Sequence, residues 1–248
     1  MDIVTAGRYP EVLTRRSAAR RNIWFDNYAD AIVRRDAGEV ANLYRISELP
    51  TILKILATRS SGELNIADIS RGTSIPRRTL VPYLELLQTL YLTQHIPAWK
   101  SNLAPRVISR PKVSLLDSGL AVRLMNVSAS ALSQTASPNL ASGLLEGFVA
   151  GEIRRRMTWS YERVEMSHFR DQNAGELDLI LETPDGRLVG IEVKSTFTPG
   201  PRDAKGLIFL RDRLGSRFVS GIILHTGTSS ASFGDRITAL PFDALWNV

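Results

Sequence analysis

The chain has 248 residues, no cysteine, three histidines and a formal net charge of +6. Disulfides and thiolate metal sites are thereby excluded, and the length suits two domains, or one large one, with an ample core. No apolar run reaches the roughly 18 residues of a membrane span and the N-terminus lacks a signal-type segment, so a cytoplasmic protein without a membrane partner is expected.

Residues 7–46 read as a helical N-terminal segment. Trp24, Tyr28 and Ile32 recur at four-residue spacing as a core stripe, and Arg34, Arg35 and Asp36 end the helix. Residues 47–127 read as a winged helix-turn-helix. Leu49 to Ala57 is apolar at helical spacing. Asn65 caps a short helix, Ile66 to Ser70, which Gly72 ends. Thr73 to Pro76 turns into a second helix capped by Thr79, with Leu80, Leu84, Leu87 and Tyr91 on one face; Pro82 is then tolerated in its first turn. Leu92 to Ile96 and Val107 to Leu116 are the expected wing strands, with Trp99, Lys100, Ser101, Asn102 and Arg106 near the tip. Arg77 and Arg78 open the would-be recognition helix, where such modules touch DNA, although winged helices also bind proteins. Residues 59–112 carry 8 Lys/Arg against 3 Asp/Glu (the eight include Lys112), and residues 1–142 carry 18 against 11. A local basic excess of this kind suits phosphate contacts as well as a solvated face.

Residues 128–139, rich in Ser, Ala, Thr and Pro, read as a linker to a domain over 140–248. This second half is nearly neutral, with 13 basic residues against 14 acidic over 143–248. Gly143 to Ile153 reads as a helix bearing Glu146 and Glu152, which lie six residues and about 600° apart around the axis. A hairpin follows, Gly175 to Leu181 and Val189 to Ser195, joined across Thr183 and Arg187 by Pro184-Asp185-Gly186. Strand alternation puts Glu176, Asp178 and Ile180 on one face and Leu177, Leu179 and Leu181 on the other. With Thr183 opposite Arg187, Asp178 faces Glu192, and Lys194 shares the face. Two carboxylates with Cβ atoms about 5 Å apart repel, so they call for a cation between them. Mg²⁺, with Mn²⁺ as a substitute, suits an oxygen donor set of this kind. Lys194 could orient an attacking water or neutralise charge on a phosphate. The plainer reading is a surface β-ribbon with an ordinary Lys–carboxylate pair. A Pro/Gly loop, a basic helix from Ala204 to Leu214 and a strand from Phe218 to Leu224 complete the pattern. His95, His168 and His225 are scattered without metal-ligand spacing and read as structural, the last two at strand ends near the site.

Asp178-x(13)-Glu192-x-Lys194 resembles the signature of the PD-(D/E)XK nuclease superfamily, which implies a restriction-endonuclease-like α/β domain with a mixed central sheet in αβββαβ order. That family usually adds a glutamate from the preceding helix, and Glu146 is the better match. The resemblance implies catalysis by Glu146, Asp178, Glu192 and Lys194, with Mg²⁺ on Asp178 and Glu192. Whether such a site is active stays open at this stage.

A longer ordered set of motifs spans nearly the whole chain: Gly7-Arg8-Tyr9-Pro10-Glu11-Val12, Trp24…Tyr28…Arg35-Asp36, Thr79…Tyr83-Leu84, Pro111-Lys112-Val113…Asp117-Ser118-Gly119-Leu120 and Gly143…Glu146…Val149. Together they resemble the C-terminal region of the DUF4143 family of bacterial and archaeal AAA-type ATPases. The sequence departs from that family in lacking Gly-x(4)-Gly-Lys-Ser/Thr, so it has no ATP site of that kind, and an ATPase partner would have to be separate. Met1 stands just before the first motif, as a truncated gene, a split gene or a separate module would place it. The expectation is an α+β protein that binds DNA through Arg77, Arg78, Lys100 and Arg106 and hydrolyses phosphodiesters. The alternative is a non-catalytic nucleic-acid-binding or partner-docking module, or a remnant.

Overall fold

The computed structural model describes residues 2–33, 46–99, 110–133, 138–171 and 175–247. The fold is α+β, and its contacts divide into two compact units, Met1–His95 with Val113–Phe148, and Ile96–Lys112 with Val149–Val248. No helix among the described residues is long and apolar enough to cross a membrane.

The first unit opens with α1 (Asp2–Ala6), α2 (Pro10–Leu13) and α3 (Ala18–Ala31). Trp24 and Tyr28 stack at 4.8 Å and Tyr9 packs against both; of the stripe Ile32 is buried, with neighbouring Phe25, while Trp24 and Tyr28 are half-buried. Asp117 ties this segment down. Its carboxylate caps α7 (Ser118–Met125) by accepting from Leu120 N–H at 2.9 Å and also accepts from Arg8 N–H at 2.6 Å. Gly119 is required beside it, because a Cβ there would lie 2.6 Å from the Gly7 nitrogen. Arg34, Arg35 and Asp36 fall outside the described residues.

Next come α4 (Leu49–Thr58), β1 (Gly62–Glu63), α5 (Ile66–Thr73), α6 (Arg77–Thr89), β2 (Thr93–Ile96) and β3 (Lys112–Leu115), the strands pairing in the order β1-β3-β2. Leu49, Ile52, Leu53 and Leu56 are fully buried on one face of α4, as their spacing predicts. Asn65 does cap α5, accepting from Asp68 N–H at 3.3 Å. The helix nevertheless runs through Gly72 and ends at Ser74, whose φ of 59° breaks it.

The start of α6 also differs from the sequence expectation. Thr79 is not its cap: the Pro76 carbonyl already accepts from the Thr79 and Leu80 N–H groups, so the helix begins at Arg77. Pro82 therefore lies in the helix interior, where its ring removes one backbone hydrogen bond. Leu80, Leu84 and Leu87 are buried, but Tyr91 lies beyond the helix at a φ of 54° and is 75% exposed. Within the stretch expected as a linker, Ala129–Ser133 form α8 and α9 (Pro138–Met157) begins at Pro138. The division between the compact units falls inside α9, between Phe148 and Val149.

The second unit is built on a six-stranded mixed sheet, β4-β5-β6-β7-β9-β8, of β4 (Glu165–Asp171), β5 (Gly175–Glu182), β6 (Leu188–Lys194), β7 (Phe218–His225), β8 (Ala231–Ser232) and β9 (Ile237–Pro241). The first three strands are antiparallel, and β6-β7-β9 is parallel. A 3-10 turn, Pro201–Ala204, leads into the crossover helix α10 (Lys205–Leu214). Leu207, Leu210 and Leu214 of α10 pack with Leu177, Phe218, Ile223 and Ile237. Small residues allow that close approach: a Cβ on Gly190 would meet Leu207 at 2.7 Å, and one on Gly206 would meet the Glu176 carbonyl oxygen at 2.7 Å.

Trp99, expected at a wing tip, is buried in this unit. It packs against Phe169 and donates from Nε1 to Glu182 Oε2 at 2.7 Å. His168 is mid-strand in β4, not at a strand end, and is wholly buried, its Nε2 donating to the Arg110 carbonyl at 2.9 Å.

Candidate functional site

The hairpin turn sets the site. Gly186 adopts φ 81°, its N–H donates to the Thr183 carbonyl at 2.8 Å, and Thr183 N–H donates to the Arg187 carbonyl at 2.9 Å. From that closure the β5–β6 ladder runs in the expected register, Glu182↔Leu188 to Leu179↔Ile191. It stops one pair short of Asp178 and Glu192. There the Asp178 carboxylate takes over from the backbone: its Oδ2 accepts from Val193 N–H at 2.9 Å. The same bond fixes the carboxylate's direction.

Asp178 and Glu192 are 7% and 8% exposed, respectively, low values for acids on adjacent strands. Lys194 Nζ lies 2.7 Å from Glu192 Oε1 and 3.8 Å from Asp203 Oδ1. Asp203 is itself held by Gly200 N–H, which donates to its Oδ2 at 2.8 Å. The other Glu192 oxygen, Oε2, is buried and has no hydrogen-bond partner among the described residues. Burial raises the Glu192 carboxyl well above the ordinary range, and the Asp178 charge pushes it further; Lys194 and Lys112 only partly offset this. Burial pulls the Lys194 ammonium down, but the charges of Glu192, Asp178 and Asp203 hold it above its ordinary value. The ammonium form of Lys194 is thus favoured by the acids that surround it.

Two participants were not anticipated from the sequence. Lys112, counted there among basic residues suited to phosphate contact, has a side chain only 4% exposed, and its Nζ lies 2.9 Å from Asp178 Oδ1 and 2.8 Å from Glu176 Oε1. Glu176 shares the Asp178 face and is also 3.8 Å from Arg170, its cross-strand partner. Glu176 had a local signal, standing two residues before Asp178, whereas Lys112, which opens β3, had none beyond its charge.

Asp178, Glu192 and Lys194 thus come together in the second unit. Glu146 belongs to the first, where Ser142 Oγ donates to its Oε1 at 3.3 Å, and its site role rests on the sequence resemblance. Glu152 is buried and receives bonds from Arg155 and from Trp246 Nε1, as a structural acid would. His225 ends β7 beside Lys194 in register, its Nδ1 accepting from Gly227 N–H at 3.1 Å. Arg77 and Arg78 are exposed at the start of α6, whereas Lys100 and Arg106 lie outside the described residues.

Asp178 and Glu192 are suited to hold a hard divalent cation. The buried Glu192 Oε2 is the donor that such an ion would satisfy, and carboxylate oxygens accept more than one partner. Among the described residues no group of three or more His, Cys, Asp or Glu is placed to hold one, so water or substrate oxygens would complete the shell.

The family model described as "Domain of unknown function (DUF8612)" matches residues 1–131, and that described as "Domain of unknown function (DUF4143)" matches residues 141–245. Two curated relatives are similar, the uncharacterized protein Rv2008c of Mycobacterium tuberculosis and the uncharacterized protein Mb2031c of Mycobacterium bovis. Each is 24% identical over 240 residues, covering 96% of this chain and 52% of its own. The chain spans about half the length of the curated relatives it matches.

Proposed function

We propose, for a chain that belongs to the DUF8612 family over residues 1–131 and carries a DUF4143 domain over residues 141–245, a DNA-binding protein with a Mg²⁺-dependent, PD-(D/E)XK-like phosphodiesterase site. The observation that carries the reading is the buried, unpartnered Glu192 Oε2 beside Asp178, with Lys194 on the same carboxylate. An acid strongly disfavoured in its charged form has no structural reason to stand in an apolar strand; a cation-binding role supplies one.

Asp178 and Glu192 would hold Mg²⁺, which supplies Lewis-acid polarisation of a phosphodiester oxygen and a more acidic water. The chain's own residues do the positioning. Val193 N–H orients Asp178, and Lys194 orients Glu192. Lys194, whose side chain is 32% exposed, would donate to a phosphate oxygen as negative charge builds.

The first unit is read as a winged helix-turn-helix, from its helix, strand, helix, helix, strand, strand order. Its support for DNA contact is the pair Arg77 and Arg78 at the N-terminus of α6, where the helix dipole disfavours cations unless an anion is bound.

The test is cleavage of labelled duplex, junction and single-stranded DNA with Mg²⁺ or Mn²⁺. Wild type should cleave at least one substrate, and Asp178→Asn and Lys194→Ala should each lose about 100-fold or more in rate. Folded protein that binds DNA but cleaves nothing, with binding unchanged by Asp178→Asn, would establish the non-catalytic module instead. The ion pair between Lys112 and Asp178 is the observation favouring that second reading.

A further inference from the structure

We propose that Lys112 is an internal cation competing with a divalent metal for the Asp178 face, so that metal loading requires its ammonium to move toward Glu176. This rests on the metal-site reading of Asp178 and Glu192. The geometry is specific. Nζ bridges Asp178 Oδ1 at 2.9 Å and Glu176 Oε1 at 2.8 Å, and the Asp178 side chain is 9% exposed where that of Glu176 is 37% exposed. One carboxylate of the bridge is therefore deep and the other faces solvent. The bridge also marks the route of displacement: an ammonium that leaves Asp178 keeps its partner on Glu176, on the same strand face two residues outward.

Charge arithmetic supports competition over cooperation. Lys112 compensates the acidic pair electrostatically, since its charge acts on Glu192 as well as on Asp178. A divalent cation held by Asp178 would share its carboxylate with that ammonium, 2.9 Å from Oδ1, and like charges on one carboxylate repel. The carboxylate has lone pairs for both, so the competition is between like charges and not for acceptor sites. Lys194 differs in this respect, for it sits on Glu192 Oε1 and not on the buried Oε2.

The experiment uses the full chain and Mn²⁺ as probe. Calorimetric titration should show Lys112→Met binding Mn²⁺ at least about tenfold more tightly than wild type. Lys112→Arg should stay at wild-type affinity or below, and Lys112→Met with Asp178→Asn should lose the gain. Equal or weaker binding by a folded Lys112→Met, with wild type still binding, overturns the competition and leaves the metal site standing. No Mn²⁺ bound by wild type or by Lys112→Met overturns the metal site, and the competition with it.

Removal of a buried counter-ion can unfold a protein, so a second measurement uses wild type alone. Acetylation of lysines, read by mass spectrometry, should rise several-fold at Lys112 on saturation with Mn²⁺ while Lys54 on α4 stays constant. Unchanged Lys112 labelling at saturating Mn²⁺ refutes the displacement.

Discussion

At the scale of single residues, Glu192 is where function and stability pull apart. Its carboxyl lies well above the ordinary range because burial, and then Asp178, disfavour the charge. For a carboxyl raised on folding, the folded state binds the extra proton between the ordinary and the raised value. Stability therefore falls as pH rises through that window. Glu192→Gln removes the charge at nearly constant volume. In EDTA at neutral pH it should raise the thermal midpoint by about 2–4 °C, or about 1 kcal/mol, and flatten the pH dependence over that window. It should also abolish cleavage. A lowered midpoint in calorimetry would mean that the Lys194 pair, not the burial cost, dominates at this position. Glu192 was legible in the sequence because the turn fixes a register that sets it opposite Asp178, with Lys194 on the same face. Lys112 was legible only as a basic residue: its partners lie 64 and 66 positions away, and no local pattern reveals a contact at that separation.

At the scale of elements, the site depends on α10 lying close to β5. The contact is made at Gly206, where a Cβ would meet the Glu176 carbonyl oxygen at 2.7 Å and the Leu177 side chain at 3.1 Å. In an exposed helix Gly→Ala gains up to about 1 kcal/mol. Here the added methyl presses on backbone that cannot rotate away, so Gly206→Ala should destabilise by about 1–3 kcal/mol and lower the midpoint by roughly 3–10 °C. The displaced strand carries Glu176 and Asp178, so metal affinity should fall as well. A variant more stable than wild type in thermal denaturation would refute this packing. The hairpin was readable in advance because Pro184-Asp185-Gly186 allows few closures, and closure fixes register. The start of α6 was misread because Thr79 is a good cap in isolation, yet the Pro76 carbonyl accepts from the Thr79 and Leu80 N–H groups and so starts the helix earlier, at Arg77. β8 and β9 gave little local signal. β9 is short and ends in Pro241, and it gains its place by parallel pairing with β7, a partner well upstream in the chain.

At the scale of the whole molecule, the charge is partitioned, and the structure refines what the partition means. Part of the basic excess over residues 59–112 is consumed internally. Arg59 lies 2.5 Å and Arg71 3.2 Å from Asp68, and Lys112 is buried among acids. Arg77 and Arg78, by contrast, are exposed together at one helix start, an arrangement that costs energy against the helix dipole and offers two cations to phosphate. Affinity for duplex DNA should therefore fall steeply with salt, and the double variant Arg77→Ala, Arg78→Ala should bind more weakly at low salt. Its slope of log affinity against log salt should be shallower by about 2, near 0.9 for each phosphate contact removed. Both side chains are solvent-facing, so the thermal midpoint should stay within about 1–2 °C of wild type, which separates lost contacts from lost fold. Asp178→Asn in the same titration should keep the wild-type slope, because removing a carboxylate removes no phosphate contact. An unchanged slope in the arginine variant would place the DNA surface elsewhere and leave this helix start to a protein partner.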